Sequence, residues 1–298
     1  LIFIQYLVTF VIFINLKKIK FINFFRIYFI KILGFIFLTT FLTYLFYPVF
    51  WRNPLLIFEA INFMSSHFNN VCTLTLGKCM FSNNLDPTYI PIWILVKLPL
   101  IILIGLLLLP ITERKIFTNE RNNIFFGTLL ISSFLIPIIL IFKKVHLYDE
   151  LRQVLFIIPS IFILGVISIY IYSKKIFYFL SFITLIIFLA ENVIMYPYQY
   201  VWFNTPSRVL NLTKNFELDY WGLSGKDLAK KTEILNKSEI TKPCVVVSPD
   251  YLVKPFLNPN LFTCFIPWSA IDTDISRPFW AIQNVRNLKK GRSYKCDT

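Results

Sequence analysis

The chain has 298 residues, 56% of them hydrophobic and only 15% charged, with 33 Phe. A soluble domain of this length carries more charge and no apolar runs of bilayer length, so that class is excluded. The net charge of +14 does not indicate a nucleic-acid binder, because Lys and Arg lie in short clusters between apolar runs.

In chain order, Leu1–Asn15 is apolar but short, and with Leu at position 1 it reads as the remnant of a span in an internal fragment. Lys17 to Lys31 is basic and aromatic, the pattern of an amphipathic helix in a membrane interface. Five runs then approach the roughly 20 residues that cross a hydrocarbon core. They are Ile32–Trp51, Ile90–Ile111, Ile124–Phe142, Val154–Ser173 and Ile176–Met195.

Arg52 to Tyr89 forms a loop between the first two runs. "NPLLIFEAINFMSSHF" opens with Asn-Pro and sets Leu56, Ala60, Phe63 and His67 on one helical face, which predicts a short surface helix. "NNVCTLTLGKCMFSNNLDPTYIP" has turn residues and a brief alternation, which predicts an extended loop. From Tyr196 the composition turns to a soluble pattern. "LSGKDLAKKTEILNK" predicts a helix with Ser224 as N-cap and Asp227 in the first turn. "CVVVS", "LFTCF" and "FWAIQNV" predict short strands. The expected architecture is an α-helical polytopic membrane protein of five to six transmembrane helices (residues 1–195, with outer loop 52–89). A small extracytoplasmic α/β domain (196–298) follows.

Orientation follows from the basic clusters. "NLKKIKFINFFRIYFIK", "TERKIFTNER" and "SKK" lie on one side and hold ten cations, against five (Arg52, Lys78, Lys143, Lys144 and Arg152) on the other. The positive-inside bias puts the first set in the cytoplasm and the C-terminal domain outside. The expected location is a bacterial plasma membrane.

Against that topology, "KKVHLYDELRQ" (Lys143 to Gln153) is an outer link with five charges. Lys143, Lys144 and Arg152 run against the orientation bias there, and an anionic headgroup or lipid-linked phosphate would suit them, Arg152 offering a bidentate fork. Asp149 and Glu150 would orient the cations or coordinate a metal. The alternative is Lys–Asp and Glu–Arg pairing on a solvated loop. Lys97 lies inside an apolar run, about two turns from its outer end, and serves either as a phosphate ligand or as a snorkelling side chain. Glu191 stands near the outer end of its run, where an interfacial role suffices. His67 and His146 are either hydrogen-bonded interfacial histidines or acid–base groups, with no metal-ligand spacing beside them. Of five cysteines, Cys72–Cys79 and Cys244–Cys264 are pairs an oxidising compartment would permit to close, and Cys296 is left over. "YPYQYVWFN" reads as an aromatic belt. Asp219, Tyr220 and Trp221 form either a sugar-stacking surface or a docking contact for the outer domain.

Three stretches together resemble the later part of GT-C membrane glycosyltransferases. They are "HFNNVCTLTLGKCMFSNNLDPTYIPIWILVKLPL", "LYDELRQVLFIIPSIFIL" and "YPYQYVWFNTPSRVLNLTKNFELDYWGLSGKDL". The group resembled is the bacterial family related to protein O-mannosyltransferases and lipid A aminoarabinose transferases, over about Trp51 to Lys230. The resemblance implies an enzyme that moves a sugar from a polyprenyl-phosphate donor to a glycan, lipid or protein acceptor at the outer membrane face. It also implies a divalent metal such as Mg2+ or Mn2+ as a cofactor. Lys97, Tyr89 and Pro91 agree with the family's pattern. Its Tyr-Asp-Gly-x-Arg segment, followed by His, matches Tyr148–Arg152, with Glu150 in place of the Gly and Gln153 in place of the His. Lys97, Lys143, Lys144 and Arg152 are the expected phosphate ligands, supported by Tyr148, Asp149, His67 and Tyr89. Asp219, Tyr220 and Trp221 are the expected sugar or acceptor contacts. The family's catalytic carboxylates sit in a first outer loop that no part of this chain matches, so no catalytic base is assigned. The competing readings are a non-catalytic membrane remnant or assembly subunit, and a lipid-binding or transport protein, which would carry ionisable groups at midplane in several spans.

Overall fold

A computed structural model describes residues 2–17, 21–66, 70–219, 221–236, 243–248, 250–262, 264–267 and 279–283. The protein is mostly helical with a small strand region, and it divides into two compact units interleaved along the chain. The first unit holds Leu1–Asn70, Ile101–His146 and Val154–Phe177, and the second holds Val71–Leu100, Leu147–Gln153 and Tyr178–Thr298. The sequence pattern marks only one change of character, at Tyr196.

In the first unit, α1 (Ile2–Lys17) packs on α7 (Glu120–Phe142), and α7 packs on α8 (Ile158–Tyr172). α2 (Phe21–Phe46) runs unbroken through Lys31, so the expected interfacial helix and the following span are one helix. Nothing between residues 21 and 46 breaks a helix except Gly34, which a helix interior tolerates. Pro48 ends α2, since the residue before a proline is pushed out of helical geometry, and the short α3 (Val49–Arg52) takes up the rest of the expected span. α4 (Leu56–Ser66) is the predicted surface helix; His67 lies outside the described residues. Asn119 caps α7 by accepting from the Asn122 N–H at 2.9 Å. Thr128, Ser132 and Ser168 each return a hydroxyl to the carbonyl four residues back.

The second unit opens with a hairpin of β1 (Cys72–Thr75) and β2 (Lys78–Phe81), turned through Leu76 and Gly77 at φ 47° and 73°. A Cys72–Cys79 disulfide closes it. α5 (Tyr89–Lys97) stops where the sequence pattern predicts one continuous span to Ile111. Pro99 has no N–H to donate and pushes Leu98 to ψ 143°, so the chain breaks there before α6 (Leu100–Ile116). α9 (Lys174–Ile194) supplies the unit's long apolar helix, and α10 (Leu212–Asn215) is a single turn. α11 (Gly225–Asn236), β3 (Cys244–Ser248), α12 (Asp250–Val253), β4 (Cys264–Pro267) and β5 (Phe279–Gln283) complete it. The three strands are parallel in the order β4-β3-β5, with Val245 and Val247 at the centre of a core that includes Ala229, Val253, Phe262 and Ile282. Cys244 and Cys264, paired in register, are disulfide-bonded. Ser224 holds the expected N-cap position of α11, its carbonyl accepting from Leu228 N–H, but its hydroxyl turns back to Asp219.

Among the described residues, four stretches are long and apolar enough to cross a membrane: Arg26–Phe46, Glu120–Phe142, Arg152–Tyr172 and Lys174–Ile194. Counting α5 and α6 as one broken span makes five. The expected sixth, α1, has 16 residues.

Candidate functional site

The break after α5 organises the site. Pro99 leaves the Leu95 carbonyl without its helical donor, and Leu98 adds a second free carbonyl. Asn204, 2% exposed, satisfies both, its side-chain amide donating to Leu95 O at 2.6 Å and Leu98 O at 2.9 Å. Its own N–H donates to Val96 O at 3.0 Å. A segment more than a hundred residues later is thereby tied to the end of α5, which carries Lys97 in its last turn.

Lys97 is held on three sides. Its ammonium lies 2.7 Å from Glu150 Oε2, 3.4 Å from the Tyr200 carbonyl and 4.1 Å from the centre of the Phe203 ring. Trp93, Phe203 and Phe216 pack as a fully buried aromatic cluster beside it, and Trp93 Nε1 donates to Thr75 of the hairpin at 3.1 Å. Snorkelling is therefore not what Lys97 does: its charge is met inside the protein.

Glu150 and Asp149 present their side chains from consecutive left-handed positions, φ 64° and 57°. Such backbone is unfavourable for residues other than Gly and persists only when neighbours hold it. Tyr89, itself buried, does so by donating its hydroxyl to the Glu150 carbonyl at 3.1 Å. Asp149 takes the other cation, its Oδ2 lying 3.1 Å from Arg152 Nη1. The Arg152 guanidinium lies between two rings, 5.3 Å from Tyr148 and 5.0 Å from Trp221. Burial carries the Glu150 carboxyl up to about 7; the Lys97 charge works against that rise, and Glu217 and Asp149 add to it.

Trp221 reaches Arg152 because Asp219, at φ 50°, closes its loop. The Asp219 carboxylate accepts from Leu223 N–H at 2.8 Å, from Ser224 N–H at 3.1 Å, and from the Tyr200 and Ser224 hydroxyls. Beside Lys97 a cavity of about 420 Å3 is lined by Phe188, Glu191 and Asn192 of α9 together with Met195, Gln199, Tyr200 and Trp202. Glu191 pairs with Arg208 at 2.8 Å and accepts from Trp202 Nε1.

Of the predicted site residues, Lys97, Arg152, Asp149, Tyr148, Tyr89, Asp219 and Trp221 belong to this one cluster. Lys143 and Lys144 are exposed at the C-terminal end of α7, in the first unit, and His146 is half-buried there. Tyr220, like His67, lies outside the described residues. Among the described residues no group of three or more His, Cys, Asp or Glu is placed to hold a metal. Glu150 is engaged by Lys97, Asp149 by Arg152 and Asp219 by its own loop, so as arranged these carboxylates do not fit a divalent metal. Residue patterns missed Asn204, Phe203 and Glu217, the last 1% exposed with its N–H on Leu74 O. A Glu wedged between Phe216 and Leu218 was the available signal.

Compared with family models, curated proteins and solved structures, the chain gives no match.

Proposed function

We propose that the chain belongs to a membrane glycosyltransferase of the GT-C class, using a polyprenyl-phosphate sugar, with Lys97 and Arg152 as its phosphate-binding cations. One observation carries the reading. Parts of all three stretches that resemble the family, far apart in sequence, meet in the second unit through Lys97–Glu150, Arg152–Trp221, and Asn204 on the α5 carbonyls. The left-handed backbone at Glu150, where the family carries Gly, supports the same alignment.

In such a transfer the acceptor hydroxyl attacks the sugar's anomeric carbon, the carbon–oxygen bond to phosphate breaks, and the charge on the departing phosphate must be stabilised. Two cations fixed by rings and carboxylates are preorganised for that, more so in a low-dielectric setting. The cavity beside Lys97, apolar along Phe188 and Met195 and polar at Asn192 and Gln199, suits a lipid with a polar head. Trp221, exposed on its outer side, is the proposed stacking face for the sugar, and Asp219 holds its loop. The charge bias of the links supports an outward-facing site in a plasma membrane.

The test is transfer of a radiolabelled sugar from a polyprenyl-phosphate donor by the reconstituted full-length protein. Arg152→Ala and Lys97→Ala are each expected to lower the rate by about 100-fold, the usual cost of losing one transition-state contact. Wild-type rates in both variants would overturn the assignment.

A further inference from the structure

We propose that Glu150 is a built-in competitor for the anion site: it holds Lys97 in the ligand-free protein and releases it, on taking up one proton, to the phosphate of a lipid-linked phosphodiester. This rests on the reading of Lys97 and Arg152 as phosphate-binding cations.

Lys97 is already engaged on several sides. An ammonium has three donors, and here one meets the Glu150 carboxylate at 2.7 Å, one the Tyr200 carbonyl at 3.4 Å, and the Phe203 ring covers a further side. The carboxylate is the only charged one among these contacts, and a phosphate bound at Lys97 seeks that same charge-assisted position. Backbone movement is not needed for the exchange. The Glu150 carbonyl is fixed by Tyr89 and the neighbouring turn by Arg152 N–H on Asp149 O at 3.3 Å, so the side chain alone turns away.

Charge balance then requires the proton. The groups facing Glu150 are Lys97 and Tyr89 of α5, Asp149 of its own loop, itself paired with Arg152, and Glu217 from the segment after α10. Lys97 and Arg152 balance Glu150 and Asp149 one for one. A phosphodiester entering that cluster would add an uncompensated negative charge where burial makes it costly. Protonating Glu150 lets the ligand enter with the net charge unchanged. Burial, with Glu217 and Asp149, carries the Glu150 carboxyl up to about 7, within reach of ordinary pH. No other bond is made or broken: the proton comes from solvent and returns when the ligand leaves.

The experiment is a calorimetric titration of the full-length protein in detergent with a decaprenyl-phosphate sugar, a phosphodiester whose single charge is constant from pH 5.5 to 8.5. The wild-type dissociation constant is expected to be level below about pH 7 and to rise about tenfold per unit above it, with one proton taken up per ligand at pH 8. Glu150→Gln, and Glu150→Gly, which suits the left-handed backbone, are expected to bind at every pH as tightly as the wild type does at pH 6. A wild-type affinity that is flat with pH, or weaker binding by both variants, overturns the competitor role; if Lys97→Ala still weakens binding, the anion-site reading stands. Absence of binding by every form, Glu150→Gln at pH 6 included, overturns both.

Discussion

Where α6 passes α8 in the first unit, the helices meet through glycine. A Cβ on Gly105 would stand 2.0 Å from the Gly165 carbonyl oxygen, and one on Gly165 would stand 2.8 Å from Ile102 O. Where α5 ends in the second unit, contact is made through an ammonium, a carboxylate, an amide and three buried rings. Both regions are built from apolar stretches of similar appearance. The first excludes polar partners by closing the gap between backbones, as small residues do at helix crossings. The second opens a helix at Pro99 and must then satisfy what the break exposes. Of these two regions, the second is the one that holds charges inside the protein.

The comparison breaks most visibly at Lys97. Lys97→Met leaves the Glu150 carboxylate buried without its cation and is expected to destabilise the protein by about 3–5 kcal/mol at pH 8. Adding Glu150→Leu removes the stranded charge and is expected to restore most of that loss. Unfolding by SDS titration of the reconstituted protein measures both. A double variant as unstable as the single one would mean that Lys97 contributes packing rather than pairing.

In the first unit the damaging change is the opposite one, an added methyl. Gly105→Ala must push α6 off α8, since its clash is with backbone, and is expected to cost about 3 kcal/mol in the same titration. Ser168→Ala, on α8 and hydrogen-bonded only within its helix, is expected to change stability by less than about 1 kcal/mol. If the order of these two were reversed, shape would not be what holds that crossing.

These contrasts also set what the sequence could disclose. Most long helices and the C-terminal strands followed from local pattern, because hydropathy and turn residues act over a few positions, whereas the cysteine pairs could only be named as permitted. Lys97 stood out because a charge in an apolar run is rare. The break beside it was written as Lys-Leu-Pro, but a hydropathy average over 20 residues passes across a single proline. The pairing within "KKVHLYDELRQ" was not legible: that Glu150 serves Lys97 while Asp149 serves Arg152 depends on two left-handed positions, in a link containing no glycine to mark them. The partners of Asn204 and Glu217 were not legible for a different reason. Those partners are Leu95, Leu98 and Leu74, more than a hundred residues earlier in the chain.

Asn204 gives the finest test of the comparison. Its amide answers two carbonyls freed by the α5 break, so Asn204→Leu leaves both buried and unsatisfied and is expected to cost about 2 kcal/mol. Restoring the helical donor should make Asn204 partly redundant. Pro99→Ala supplies the N–H that Leu95 O lacks, so in that background Asn204→Leu is expected to cost about half as much, with Leu98 O still to be satisfied. Equal costs in the two backgrounds would show that the amide does not compensate for the proline. The link between the broken helix and the segment carrying Tyr200 and Phe203 to Lys97 would then have to be sought in the ring cluster instead.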